Sequence, residues 1–265
     1  MIEIEHLSVS YGNKRVIDDL SLQIKKGESV FLAGANGAGK TTLLRAIAGI
    51  IHARQGLISA SRKKIAYIPA SLSFYDSLKI KEAVRLYSSI HKSFEYRQIG
   101  GYEFDKNRRI HSLSKGERTL FFLSLALSIS PDFILIDDVI HFLDPHLRDI
   151  FMQTILTLIE EEQLGLVIAA QTCIDIEGIL ERVVALDRGR IVLDENVEQL
   201  KRSFVKLYAD RDPENLPVVF KREWNDVNEY YLYPYQPREG ADVEVQYLAL
   251  PEILRALIGG EYGVA

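Results

Sequence analysis

One segment constrains this chain more than any other: Gly34-Ala35-Asn36-Gly37-Ala38-Gly39-Lys40-Thr41. It fits the spacing G-x-x-x-x-G-K-[ST], and its flanks suit that motif. Residues 29–33 form a short apolar run that reads as a strand. Residues 41–50 have helical spacing, with Leu43, Leu44, Ile47 and Ala48 on one side. Glycines in such a loop let the backbone wrap phosphates with its N–H groups turned inward. The start of the following helix adds partial positive charge. Lys40 is expected to reach the β- and γ-phosphates of a nucleotide, and the Thr41 hydroxyl to ligand Mg²⁺. The alternative is a plain glycine-rich turn, which the Lys-Thr pair and the strand-to-helix context argue against.

A second apolar run, Phe133-Ile134-Leu135-Ile136-Asp137, reads as a buried strand ending in a carboxylate. Alone it is a common pattern. Beside a phosphate loop, Asp137 is expected to hold Mg²⁺ through water. Other short strands are expected at 2–8, 21–24, 64–68, 166–170, 183–186 and 190–193, with a turn at Tyr11-Gly12-Asn13-Lys14. Residues 71–112 read as helix-rich, 118–130 as a buried helix stopped by Pro131, 147–161 as an amphipathic helix and 174–182 as a helix. The texture changes after about residue 203, where seven of the thirteen tyrosines and five of the eight prolines lie. Strands are expected there at 204–208, 218–220, 229–233 and 242–248, with a closing helix at 251–258.

Composition excludes several classes. With 47% hydrophobic and 26% charged residues, a full core can be buried without disulfides or structural metal. The single cysteine, Cys173, permits no disulfide framework and suits a reducing compartment. The first residues carry acids and no basic-then-apolar run, so no signal peptide is expected. The longest apolar stretches, near 120–129 and 133–136, are too short to span a bilayer. Residues 1–202 are charge-neutral with 26 basic and 26 acidic side chains, whereas 203–265 carry 6 and 11. No nucleic-acid partner is expected from that balance.

The segment Leu113-Ser114-Lys115-Gly116-Glu117-Arg118 narrows the reading. It resembles the Leu-Ser-Gly-Gly-Gln signature of ATP-binding cassette (ABC) proteins, and lies just before the helix leading to the Asp137 strand. It also fits an N-capping serine with a glutamate three residues on; the two readings are compatible. Leu143-Asp144-Pro145 resembles the family's loop that crosses a dimer interface at Asp144. Residues 186–191 resemble its closing hairpin. Tyr11, whose alternative is simple packing in a turn, matches the aromatic that stacks on adenine. The resemblance covers residues 1–202. It implies an α/β phosphate-loop NTPase cassette: a mixed-sheet core, a helical subdomain at about 71–130, and a small α+β appendage at 203–265. Carried onto this chain, ATP is held by Tyr11, residues 34–41 and Thr42. Ser114, Lys115, Gly116 and Glu117 face the ATP of a second cassette, and Thr41 and Asp137 attend Mg²⁺.

Three positions depart from the family's pattern. Tyr67-Ile68-Pro69 is followed by Ala70, where a glutamine is usual. Asp138 stands where a glutamate polarises the attacking water. Gln171 stands where a histidine contacts the γ-phosphate. Alanine cannot ligand a metal, aspartate is one methylene shorter, and glutamine carries no charge. Asp138 and Gln171 are therefore the candidate catalytic pair of a site that binds ATP and hydrolyses it slowly. The resemblance implies an ABC-type ATPase of the bacterial export-like transporter group, working as a homo- or heterodimer with membrane-spanning subunits on the cytoplasmic face. Residues 74–82 and 248–254 carry the export-like likeness. The alternatives are a non-hydrolysing ATP-responsive module and a soluble non-transport cassette.

Overall fold

The computed structural model describes residues 1–60, 65–71, 76–209, 213, 216–224, 227–236 and 245–258. Its strands are β1 Ile2–Tyr11, β2 Lys14–Ile24, β3 Ser29–Gly34, β4 Gln55–Ser59, β5 Ile65–Ile68, β6 Phe133–Asp137, β7 Gly165–Ala169, β8 Arg182–Asp187, β9 Arg190–Asn196, β10 Val205–Ala209, β11 Val218–Trp224, β12 Val227–Leu232 and β13 Gln246–Tyr247. Its helices are α1 Lys40–Ile47, α2 Ile80–Ile90, α3 Lys115–Leu127, α4 Pro145–Glu162, α5 Val197–Ser203 and α6 Leu250–Leu257.

The centre is a six-stranded sheet in the order β5-β6-β7-β3-β8-β9, parallel except for β9. Its middle strands are buried on both faces, which is why they read as unbroken apolar runs. Alternate residues divide between two cores. Phe31, Ile134, Ile136, Leu166, Ile168 and Val183 face one. Val30, Leu32, Leu135, Val167 and Val184 face the other, packed with α1 and the antiparallel sheet β2-β1-β4. The fold is thus the α/β cassette expected from the phosphate loop. The order places β3 between β7 and β8, with β6 beyond β7. The loops after all four strands therefore open on one edge, where ligands of such sheets bind.

The stretch 71–112 holds less helix than expected. Among its described residues only α2 and a 3₁₀ turn, Ile110–Ser112, are helical. Gly100 and Gly101 both take positive φ, and Phe94, Tyr96 and Phe104 turn inward onto Phe121 and Phe122 of α3 instead of forming a helical stripe. The helix expected at 174–182 is also absent; only Glu177–Ile179 forms a 3₁₀ turn. Ile176, Ile179 and Leu180 are buried with the helical spacing that prompted the expectation, but they pack into the core as a turn. Lys64, Phe74 and Tyr75, which entered the expectations above, lie outside the described residues.

The tail forms a four-stranded sheet, β11-β12-β10-β13, closed by α6. Of the strand expected at 242–248, Gln246–Tyr247 is described as strand and 241–244 lie outside the described residues. One face of this sheet buries Val205, Leu207, Tyr230 and Leu232 together. Tyr231, with Phe204 and the α6 residues Leu250, Ile253 and Leu254, joins the core that lines one face of the central sheet.

Candidate functional site

Gly34 ends β3 with φ +147, and a Cβ there would stand 2.5 Å from the Leu186 carbonyl oxygen, so no side chain fits. The chain then turns through Ala35, Asn36, Gly37, Ala38 and Gly39 into α1, whose first residue is Lys40. Ala35 is half-buried, Asn36 and Gly37 are exposed, and Ala38 and Gly39 are packed beneath the loop. The Lys40 ammonium donates to the carbonyls of Gly34 at 2.6 Å and Ala35 at 3.2 Å. Burial pulls its pKa down, opposed by the charges of Asp138 and Asp137. Thr42 is buried in the first turn of α1.

Asp137 ends β6 and is 2% exposed. Its Oδ1 accepts from the Thr41 hydroxyl at 3.0 Å and its Oδ2 from the Tyr67 hydroxyl at 3.1 Å. Burial raises its pKa, and the two hydroxyl donors oppose that shift. Thr41 and Asp137 together make an all-oxygen donor set suited to Mg²⁺, which takes few protein ligands and completes its shell with water and phosphate. No cluster of three or more His, Cys, Asp or Glu groups able to hold a metal occurs among the described residues. Tyr11, at the end of β1, is 48% exposed beside this loop.

The hydrolysis side is built differently. Asp138 has φ +51, in the left-handed region. Aspartate tolerates that region better than most residues. Its N–H donates to the Ala169 carbonyl at 2.7 Å. Asp138 and Gln171 line one cleft of about 270 Å³ with His141, Thr172 and Asp175. His141 Nδ1 lies 3.7 Å from Asp138 Oδ1. Gln171 is exposed. Ala70, beyond β5, offers no polar side-chain atom.

The signature segment is held by its own cap. Ser114 Oγ accepts from Glu117 N at 3.0 Å, and Glu117 Oε2 accepts from Ser114 N at 2.7 Å. Arg108 pairs with Glu117 at 2.7 Å, so Glu117 is committed within the chain. A Cβ on Gly116 would stand 2.9 Å from both the Phe142 carbonyl oxygen and Leu147 Cδ1. Glycine thereby lets α3 meet the segment that follows Asp138. Lys115 Nζ sits 4.7 Å from the centre of the Phe142 ring. Asp144 caps α4, its Oδ1 accepting from Leu147 N at 2.9 Å, with Pro145 in the first turn.

Sequence reasoning missed three contributors. Tyr67 reaches Asp137, Arg45 lies near enough to the Tyr67 and Tyr11 hydroxyls for their electrostatics to raise its pKa, and His141 shares the Asp138 cleft. Tyr67 and Arg45 meet only through strand register and helix placement, which no linear motif records. His141 stands three residues from Asp138, close enough in sequence to have been flagged.

The family model described as "ABC transporter" matches residues 17–141. An uncharacterised ABC transporter ATP-binding protein of Methanocaldococcus jannaschii is 30% identical over 79% of this chain and 83% of its own length. A zinc import ATP-binding protein of Ehrlichia chaffeensis is 30% identical over 79% of this chain and 90% of its own. The dimeric structure of an ATP-binding cassette in a post-hydrolysis state, with ADP and Pi bound, superposes with a TM-score of 0.65. It is 21% identical and covers 74% of this chain and 98% of that one. Sequence relatives, fold and site geometry agree, and the chain belongs to the ABC transporter ATP-binding protein family.

Proposed function

We propose that this chain holds ATP between its phosphate loop and the signature of a second cassette, and that the closed pair drives membrane-spanning partners. The observation that carries this reading is the meeting of Lys40, Thr41 and Asp137 at the carboxyl edge of the sheet, with Ser114 and Lys115 exposed at the capped start of α3. Residues 34–42 bind the phosphates and Tyr11 stacks on the base. Thr41 and Asp137 would hold Mg²⁺, which supplies charge neutralisation at the β- and γ-phosphates. Asp138 orients the attacking water, and Gln171 donates a hydrogen bond to the terminal phosphate.

Hydrolysis at this site is slow in our reading, because Ala70, the short Asp138 and the uncharged Gln171 all fall on the groups that act during cleavage. The same three residues favour the second reading, an ATP-responsive clamp that transports nothing. We place the boundary of the cassette near residue 202, with 203–265 as an accessory element, and the protein on the cytoplasmic face of the membrane. No helix among the described residues is long and apolar enough to cross a membrane, and in this reading transport is coupled through separate subunits. The relative named for zinc import supports a transport role; residues 74–82 and 248–254 support the export-like grouping.

The test is sedimentation of the purified chain with saturating Mg-ATP, followed by affinity isolation from its native membranes. A shift to twice the monomer mass, or to a complex with a second cassette, together with a co-purifying polytopic membrane protein, is expected. A nucleotide-dependent dimer that brings no membrane protein would select the clamp reading.

A further inference from the structure

The carboxylate of Asp137 is fixed at both oxygens. A lone hydrogen bond would leave the carboxylate rotation broad; here Thr41 takes Oδ1 and Tyr67 takes Oδ2. Tyr67 lies on β5 opposite Leu135, in register with β6. Its side chain therefore shares the face of the sheet that α1 covers, and its hydroxyl reaches forward to Asp137. Because Ala70 contributes no polar atom, Tyr67 is what β5 still offers to the metal side.

We infer that Tyr67 is a positioning residue: its hydroxyl, with that of Thr41, fixes the Asp137 carboxylate in the orientation that meets the cation. This rests on the ATP-site reading above. Burial, with the nearby charge of Asp137, pushes the Tyr67 hydroxyl up to about 12, so it stays protonated and donating at neutral pH.

The experiment is calorimetric titration of the purified chain with the non-hydrolysable imido analogue of ATP and with tripolyphosphate, each in EDTA and in Mg²⁺. Tyr67→Phe keeps the ring and removes the hydroxyl. It is expected to leave affinity in EDTA unchanged and to reduce the Mg²⁺-dependent gain by about 10-fold, as loss of outer-shell partners does. The loss is expected with the nucleotide analogue and with tripolyphosphate alike. An unchanged Mg²⁺ response in Tyr67→Phe overturns the inference. A thermal midpoint near that of the parent certifies the variant as folded. Lys40→Ala separates the two levels of the argument. Loss of binding with and without Mg²⁺ keeps the ATP site whatever Tyr67 does, and normal binding there removes the site itself.

Discussion

The two sides of the site obey different rules. On the phosphate side, each group is fixed by backbone geometry or a paired hydrogen bond: Gly34 by the wall of Leu186, Lys40 by two carbonyls, Asp137 by two hydroxyls. On the cleavage side, Ala70 has nothing to offer, Gln171 is exposed, and Asp138 faces an open cleft with His141 at 3.7 Å. The signature lies with the first group, its glutamate locked in a capping box and an ion pair. The contrast fits the proposed function, in which holding ATP and cleaving it fall to separate sets of side chains.

The sharpest way to break that contrast is Lys40→Ala. Equilibrium binding of a fluorescent ATP analogue is expected to weaken by at least about 100-fold, since a charge-assisted contact to two phosphates is lost; unchanged affinity would remove the phosphate side from the comparison. Next is the triple change Ala70→Gln, Asp138→Glu, Gln171→His. A phosphate-release assay is expected to show a rate gain on the order of 100-fold, the scale on which misplaced catalytic groups act. Brisk turnover by the unmodified protein would erase the distinction. The smallest effect concerns the signature. Arg108, more than any other group, holds the Glu117 carboxyl below its ordinary 4.5. Its stabilising contribution is therefore present above that value and lost as pH falls through the lowered folded pKa. Glu117→Gln keeps the capping geometry and is expected to cost at most about 1 kcal/mol at neutral pH and to flatten the acid side of a stability-versus-pH curve from chemical denaturation. An equally steep acid decline in the variant would show that the cap is not held by charge.

Much of this was legible in the chain itself, and the reason is locality. The phosphate loop, the Asp137 strand and the Ser114 cap are each written in fewer than ten consecutive residues, so periodicity and motif spacing find them. Helix was over-read at 174–182, where buried Ile176, Ile179 and Leu180 have helical spacing but only a 3₁₀ turn forms, and at 71–112, where Gly100, Gly101 and inward aromatics break the pattern. Tyr67 and Arg45 were invisible because their partnership depends on β5 lying beside β6 beneath α1. The tail strands announced themselves by alternation. That Leu250, Ile253 and Leu254 of α6 would enter the core of the central sheet had no sequence signal, since nothing in an amphipathic helix names the surface it covers.

Residue 138 has a meaning beyond its short side chain. Its N–H continues the ladder between β6 and β7 by one rung, onto Ala169, and the chain leaves the strand through a left-handed turn at the same residue. Aspartate is at ease in that conformation and glutamate less so. The position is a joint of the sheet as well as a reagent, and lengthening the acid strains the rung that aligns it. A faster enzyme made from this chain would therefore show its change first as earlier amide exchange at residue 138, before any difference in the cleft.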